Sequence, residues 1–156
     1  MTLDDLTVNF SHLDRKKLME DWRWLLAPTM SPVLITAIGN AFLQDESSGE
    51  IFFLDVGSAD IILIAVSMSE FNELLEQHSF VMKFFEVSLF IELQKISPRS
   101  SATLYSFKKL PTLGGDYQTS NFELADVEVH FSICGQLQRQ INNFAPGTPI
   151  GKVTVS

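Results

Sequence analysis

Along the chain, apolar positions alternate between helical spacing and short continuous runs, the signature of helices interleaved with strands. Leu18, Trp22 and Leu25 follow Ser11-His12-Leu13-Asp14, a capping-box-like start, and predict a first helix that stops near Ala27-Pro28. Residues 33–43 read as a strand, Asp45-Glu46-Ser47-Ser48-Gly49 as a hairpin loop and residues 50–56 as the returning strand. After a turn at Gly57-Ser58-Ala59-Asp60, the continuous apolar run 61–66 suits a buried strand, which completes a three-stranded antiparallel meander.

Ser67-Met68-Ser69-Glu70 has the spacing in which each side chain caps the other's backbone, so a short helix carrying Phe71, Leu74 and Leu75 is expected to stop near Gln77-His78. Phe80, Phe84, Val87 and Ile91 then form the stripe of one long helix over residues 79–96, expected to be the most buried and closed by Ser97-Pro98. Residues 103–107 read as a strand, and Leu110-Pro111-Thr112-Leu113-Gly114-Gly115 as a loop whose glycines permit positive φ or close backbone approach. A last helix starts near Ala125, with Ile133, Leu137, Ile141 and Phe144 along one face, and ends at Ala145-Pro146-Gly147 before an extended tail. Gly135 inside it costs about 1 kcal/mol relative to Ala, which points to close approach of another element. The whole reads as one α+β domain over residues 1–156, an antiparallel meander packed against several helices.

Charge adds the most to this picture. The net charge is −8, and residues 27–78 hold eight acids (Asp45, Glu46, Glu50, Asp55, Asp60, Glu70, Glu73 and Glu76) with no Lys or Arg. The other segments carry 11 acids (19 less those eight) and all 11 bases, so the middle segment supplies the entire imbalance. Such a surface disfavours direct contact with nucleic acid, because phosphates need a basic face. It fits two readings: a solvated face that keeps the protein soluble, or a docking surface for a cationic partner.

Membrane insertion and export are not expected. The apolar stretch 80–96 is interrupted by Lys83, Glu86, Glu92 and Lys95, and Met1 to Leu6 carries acids where a signal peptide needs positive charge. The sole cysteine, Cys134, allows no intrachain disulfide, suits a reducing cytoplasm and lies on an apolar helix stripe, where it acts as a small hydrophobe.

Candidate chemistry is sparse. No Gly-x-Gly-x-x-Gly or Walker A pattern is present, and a calcium loop starting at Asp45 would place Glu50 where glycine is required and Val56 where a carboxylate is required. His12, His78 and His130 form no paired metal motif, and no Gly-x-Ser-x-Gly elbow supports a nucleophilic serine. The chain is therefore read as a non-enzyme with no cofactor or metal. Of the adjacent indoles Trp22 and Trp24, Trp22 shares the buried stripe and Trp24 is the expected exposed anchor, since neighbouring helix residues point about 100° apart.

Several motifs occur together in order. They are Trp24-Leu25-Leu26, Ala37-Ile38-Gly39-Asn40-Ala41-Phe42, Ile51-Phe52-Phe53-Leu54-Asp55 and Ser69-Glu70-Phe71, followed by the more specific Pro111-Thr112-Leu113-Gly114-Gly115-Asp116-Tyr117 and Asn121-Phe122. Val129-His130-Phe131-Ser132-Ile133-Cys134-Gly135-Gln136, Gln140 and Pro146-Gly147-Thr148 complete the set. Together they resemble the C-terminal domain of bacterial type VI secretion immunity proteins that protect against DNase toxins, long catalogued as a domain of unknown function, over roughly residues 18–150.

The resemblance implies stoichiometric occlusion of a cognate toxin in the cytoplasm. A nuclease presents a basic cleft to phosphate, so the base-free segment would supply the complementary potential. The expected contacts are the acidic hairpin Asp45, Glu46 and Glu50, then Asp55, Asp60 and Asp116, with Trp24 and Tyr117 as aromatic anchors. The Gly114-Gly115-Asp116-Tyr117 loop fits a purely structural role equally well. The competing reading is a non-catalytic interaction or scaffold domain, self-associating as a homo-oligomer, with no toxin partner.

Overall fold

The computed structural model describes residues 1–144 and 154–155. It is an α+β fold built on a four-stranded antiparallel sheet of order β1-β2-β3-β4, with β1 at Met30–Ile35, β2 at Ala41–Asp45, β3 at Ile51–Asp55 and β4 at Asp60–Ala65. A short helix α1 (Arg15–Leu18) precedes the sheet, and α2 (Met68–Leu75), α3 (His78–Phe84) and α4 (Val87–Ile96) follow it. A second antiparallel pair, β5 (Thr103–Phe107) and β6 (Phe122–Asp126), leads into the long helix α5 (Val127–Asn142).

Both faces of the central strands are covered, and alternation decides which side chain meets which layer. Ala41, Leu43, Leu54 and Val56 join a core with Leu18, Trp22, Phe131 and Cys134. Phe42, Ile51 and Phe53 join a second core with Phe71, Phe80, Phe85 and Phe90 from the helices after the sheet. Phe42 lies at the centre of an aromatic cluster, with ring centroids 4.9 Å from both Phe53 and Phe71 and 5.5 Å from Phe85.

Four expectations are corrected by this packing. The strand expected over 33–43 is a hairpin: β1 and β2 are joined by a loop in which Gly39 has φ +90° and Thr36 Oγ1 accepts the Asn40 N–H at 3.1 Å. The loop was hidden because Ala37 and Ile38 are buried in the aromatic core, while Ala37 N–H bonds to Leu6 O and Tyr105 N–H to Ala37 O. The first helix is only one α-turn, capped by Asp14 rather than Ser11, and it passes into a 3-10 turn at Glu20–Trp22.

The long helix over 79–96 is two helices, broken where Glu86 adopts left-handed φ +47° and Phe85 turns into the aromatic core. Such a conformation costs a non-glycine residue about 1 kcal/mol, offset here by burying the Phe85 ring. The run at 61–66 is a strand, but it lies at the sheet edge rather than inside: Ile62 and Leu63 are 47% and 49% exposed. β6 was not anticipated, since its sequence Phe-Glu-Leu-Ala-Asp carries little apolar run. The expected helix end at Ala145-Pro146-Gly147, the tail after it and the Pro146-Gly147-Thr148 motif lie outside the described residues, apart from Thr154 and Val155.

Candidate partner-binding site

The residues that carry the resemblance are largely drawn into one buried polar network around α5. His130 is fully buried between the Gly39 carbonyl, 2.8 Å from Nε2, and Ser106 Oγ, 2.7 Å from Nδ1. A carbonyl only accepts, so Nε2 carries the proton and Nδ1 accepts from the Ser106 hydroxyl. Burial drives the imidazole pKa down to about 4, against the raising effect of the Gly39 bond. Burial likewise pushes the Cys134 thiol up to about 12, so the neighbouring Cys134 and His130 form a neutral pair without a thiolate nucleophile.

Around this pair, the same helix locks onto three other segments. Trp22 Nε1 donates to Phe131 O at 2.9 Å, and Ser132 Oγ donates to Asp21 Oδ2 at 2.7 Å. Gln138 Nε2 donates to Val56 O at 2.8 Å, while its Oε1 accepts from Thr112 Oγ1. Asn40 Oδ1 accepts the Val56 N–H at 2.9 Å from the other side of the same turn. A Cβ on Gly135 would stand 2.6 Å from Asp21 O, and one on Gly115 only 1.9 Å from Lys109 O. Both glycines therefore mark close backbone approach.

Trp24 belongs to this network rather than to an open surface. It is half-buried, stacks on Trp22 with centroids 5.9 Å apart, and donates from Nε1 to Gly135 O at 3.2 Å.

The acidic residues separate into two groups at opposite ends of β3, roughly 15 Å apart at about 3.4 Å per residue. In the β2–β3 hairpin, Asp45 accepts from Ser47 N–H and Oγ at 2.9 and 2.7 Å, which holds its carboxyl below the usual range and fixes the turn. Glu46 is exposed and pairs with Lys16 of α1 at 3.3 Å, so a segment without bases in sequence meets a base in space. Glu50 keeps its carboxylate clear of any described ion pair.

At the other end, Asp55 and Asp60 are register partners across β3 and β4. Asp55 accepts from Gly57 N–H at 3.1 Å, whereas Asp60 is exposed. Tyr117 leans over this end, 44% exposed, its ring edge-on to Phe107 at 5.5 Å. Burial, then the charges of Asp55 and Glu86, push its phenol up to about 12. Asp116 accepts from Gln118 N–H at 3.0 Å and shapes the same loop.

Glu86, which sequence reasoning did not single out, joins this group: burial first and the Asp55 charge second raise its carboxyl to about 7. Its sequence signal, an acid within an otherwise apolar helical stripe, was available. The structure thus brings Asp55, Asp60 and Tyr117 together with Glu86 and leaves the hairpin acids and Trp24 elsewhere.

Surface clefts open away from His130 and from Glu86. One of about 460 Å³ is lined by Asp4, Asp5, Gln94 and Arg99, and one of about 560 Å³ by Asp14, Lys17, Glu128 and Ser132. Neither includes His130, Cys134, Asp55 or Glu86. Among the described residues, no group of three or more His, Cys, Asp or Glu could hold a metal ion, and no helix is long and apolar enough to cross a membrane.

Residues 65–138 match the family model described as the C-terminal part of the T6SS immunity protein Tdi1. The match supports the type VI secretion immunity protein family and falls inside the region of resemblance read from the sequence. The crystal structure of Atu4351 from Agrobacterium tumefaciens is similar in fold, with a TM-score of 0.54 at 20% identity over 72% of this chain. The alignment spans 57% of that protein's length. No curated protein matches the chain.

Proposed function

We propose, from the match of residues 65–138 to a type VI secretion immunity protein, that this protein is a cytoplasmic immunity protein that binds a cognate toxin and occludes it. The observation that carries the reading is this match. The acidic segment 27–78 adds the chemistry of the partner: a cationic surface of the kind a nuclease presents to phosphate.

Occlusion requires only binding, so no catalytic residue or cofactor enters the mechanism. The carboxylates of exposed Glu46 and Asp60 and of half-buried Glu50 raise the encounter rate and reject acidic partners, while a desolvated aromatic supplies affinity. Tyr117 serves as that anchor better than Trp24, because its ring is accessible beside the Asp55–Asp60 end. Asp45, Asp55 and Asp116 contribute negative potential while holding their own turns.

Co-purification of the tagged protein with the product of the adjacent open reading frame, at low and high salt, tests the reading together with rescue on co-expression. A salt-sensitive complex with rescue is expected. Absence of both would overturn the assignment and leave the scaffold reading.

A further inference from the structure

β4 ends the sheet, and the register irregularity at Ile64, between the Phe52–Leu63 and Ile51–Ala65 pairs, interrupts its ladder at one end only, leaving the run 60–63 regular. Its one ladder is with β3, and among the described residues no backbone or side-chain hydrogen bond from another element reaches residues 60–65. In an edge strand, alternate N–H and C=O groups point outward unpaired, a template that proteins usually blunt with Lys, Pro or a covering loop. Here the edge reads Asp-Ile-Ile-Leu-Ile-Ala, with neither Lys nor Pro.

Side chains on both faces of this edge are apolar and open. Ile62 lies opposite Phe53 and Leu63 opposite Phe52, so the two point to opposite faces, and Val66 just beyond is 61% exposed. The covering layers reach Ile61 and Ile64, which pack partly against the two cores, and leave Ile62 and Leu63 between them open. Acids bracket the strand: Asp60 with Asp55 at one end, and at the other Glu50, next to the Ile51–Ala65 pair, with Glu70 at the start of α2.

We infer that β4 is a docking edge that accepts an extended segment of a partner protein as a fifth strand, with apolar residues in the middle of that segment and Lys or Arg at its two ends. Main-chain hydrogen bonds supply the pairing and alternate side chains the specificity. The acidic bracket selects the occupant. A second copy of this chain would bring Asp60, Glu50 and Glu70 toward their own kind, and like charges disfavour it. The inference rests on the proposed immunity role and specifies how the toxin is held.

Hydrogen exchange on the full chain with and without the adjacent gene's product tests it, alongside affinities of Leu63→Glu and Ile62→Glu. New amide protection at residues 60–65 is expected, with about tenfold weaker binding for each variant, the loss expected from removing roughly 1.5 kcal/mol of apolar burial. Charge attraction alone predicts the opposite, since each variant adds an acid. Binding without protection at β4, or unchanged or tighter binding by the variants, overturns the strand addition and leaves the immunity role standing. Failure of the wild-type protein to bind at all overturns both. Protection of β4 that appears with rising concentration of the protein alone assigns the edge to a second copy and overturns the cationic partner.

Discussion

The polar network on α5 and the acidic end of β3 and β4 both bring titratable groups out of water, yet they are built by opposite rules. Around His130, each buried group meets its complement: the ring sits between a donor and an acceptor, and Gln138 and Asn40 close backbone groups of the same turn. Around Glu86, which is itself in left-handed φ, a half-buried carboxyl lies near the charge of Asp55, and no described ion pair neutralises either. Satisfied networks specify a fold. Local conflicts persist where the surroundings impose them, and they concentrate at functional sites. The motifs that carry the resemblance therefore mostly describe the scaffold, while Asp55, Asp116 and Tyr117 at the acidic end belong to motifs and Glu86, Asp60 and Glu50 do not.

The largest expected effect breaks the satisfied side of this comparison. His130→Ala strips partners from Ser106 and Gly39 O and opens a cavity, so urea unfolding should show a loss of about 3–4 kcal/mol. The same residue sets an acid limit. Its pKa is about 4 folded and 6.5 in the unfolded reference, so the unfolded chain binds the proton first as pH falls. The contribution is complete above pH 6.5 and falls by about 3 kcal/mol toward pH 4. Unfolding midpoints across that window should lose this slope in the variant.

Glu86 should titrate in the reverse sense. Its folded pKa of about 7 exceeds the reference 4.5, so the folded state holds the proton longer; stability is present below pH 4.5 and declines as pH rises through 7. Glu86→Gln should stabilise by about 2 kcal/mol at pH 8 and by nearly nothing at pH 4.5. Equal effects at both pH values would remove the conflict from this end of the molecule.

Gly135→Ala sharpens the contrast between local and tertiary preference. Helix propensity alone favours Ala by about 1 kcal/mol, but the added Cβ would meet Asp21 O at 2.6 Å. A net loss of about 2 kcal/mol is expected in thermal or urea unfolding, and a gain would show that the approach of α5 to residue 21 is loose. The smallest stability change should come from Glu50→Lys and Asp60→Lys, each within about 0.5 kcal/mol of wild type because neither carboxylate enters an ion pair among the described residues.

Much of the fold was legible because local signals and packing agree. The Ser67 cap, the strand at Thr103–Phe107 and the hairpin at Asp45 to Gly49 each combine a turn or cap residue with an apolar run. Gly135 announced its close contact by being costly where it stands. Illegible features depended on tertiary context. Ala37 and Ile38 continue an apolar run through a loop because that loop is buried, and Phe85 forces a helix break that the spacing of Phe80 and Phe84 conceals. Likewise, an apolar run gives the same sequence pattern at a sheet edge as in its middle, so the exposure of β4 could not be read. Of the candidate site, the acidic segment was visible, but its division into two ends, the pairing of Glu46 with Lys16 and the packing of Trp24 against the core were not.

The most direct test is the affinity of the wild-type protein and of Glu50→Lys/Asp60→Lys for the product of the neighbouring gene, measured at two salt concentrations with unfolding followed in parallel. The account predicts a salt-sensitive complex that the double variant weakens by about a hundredfold, at roughly tenfold per charge, without a matching loss of stability. Equal affinity in the two proteins, or binding indifferent to salt, would contradict an acidic docking face.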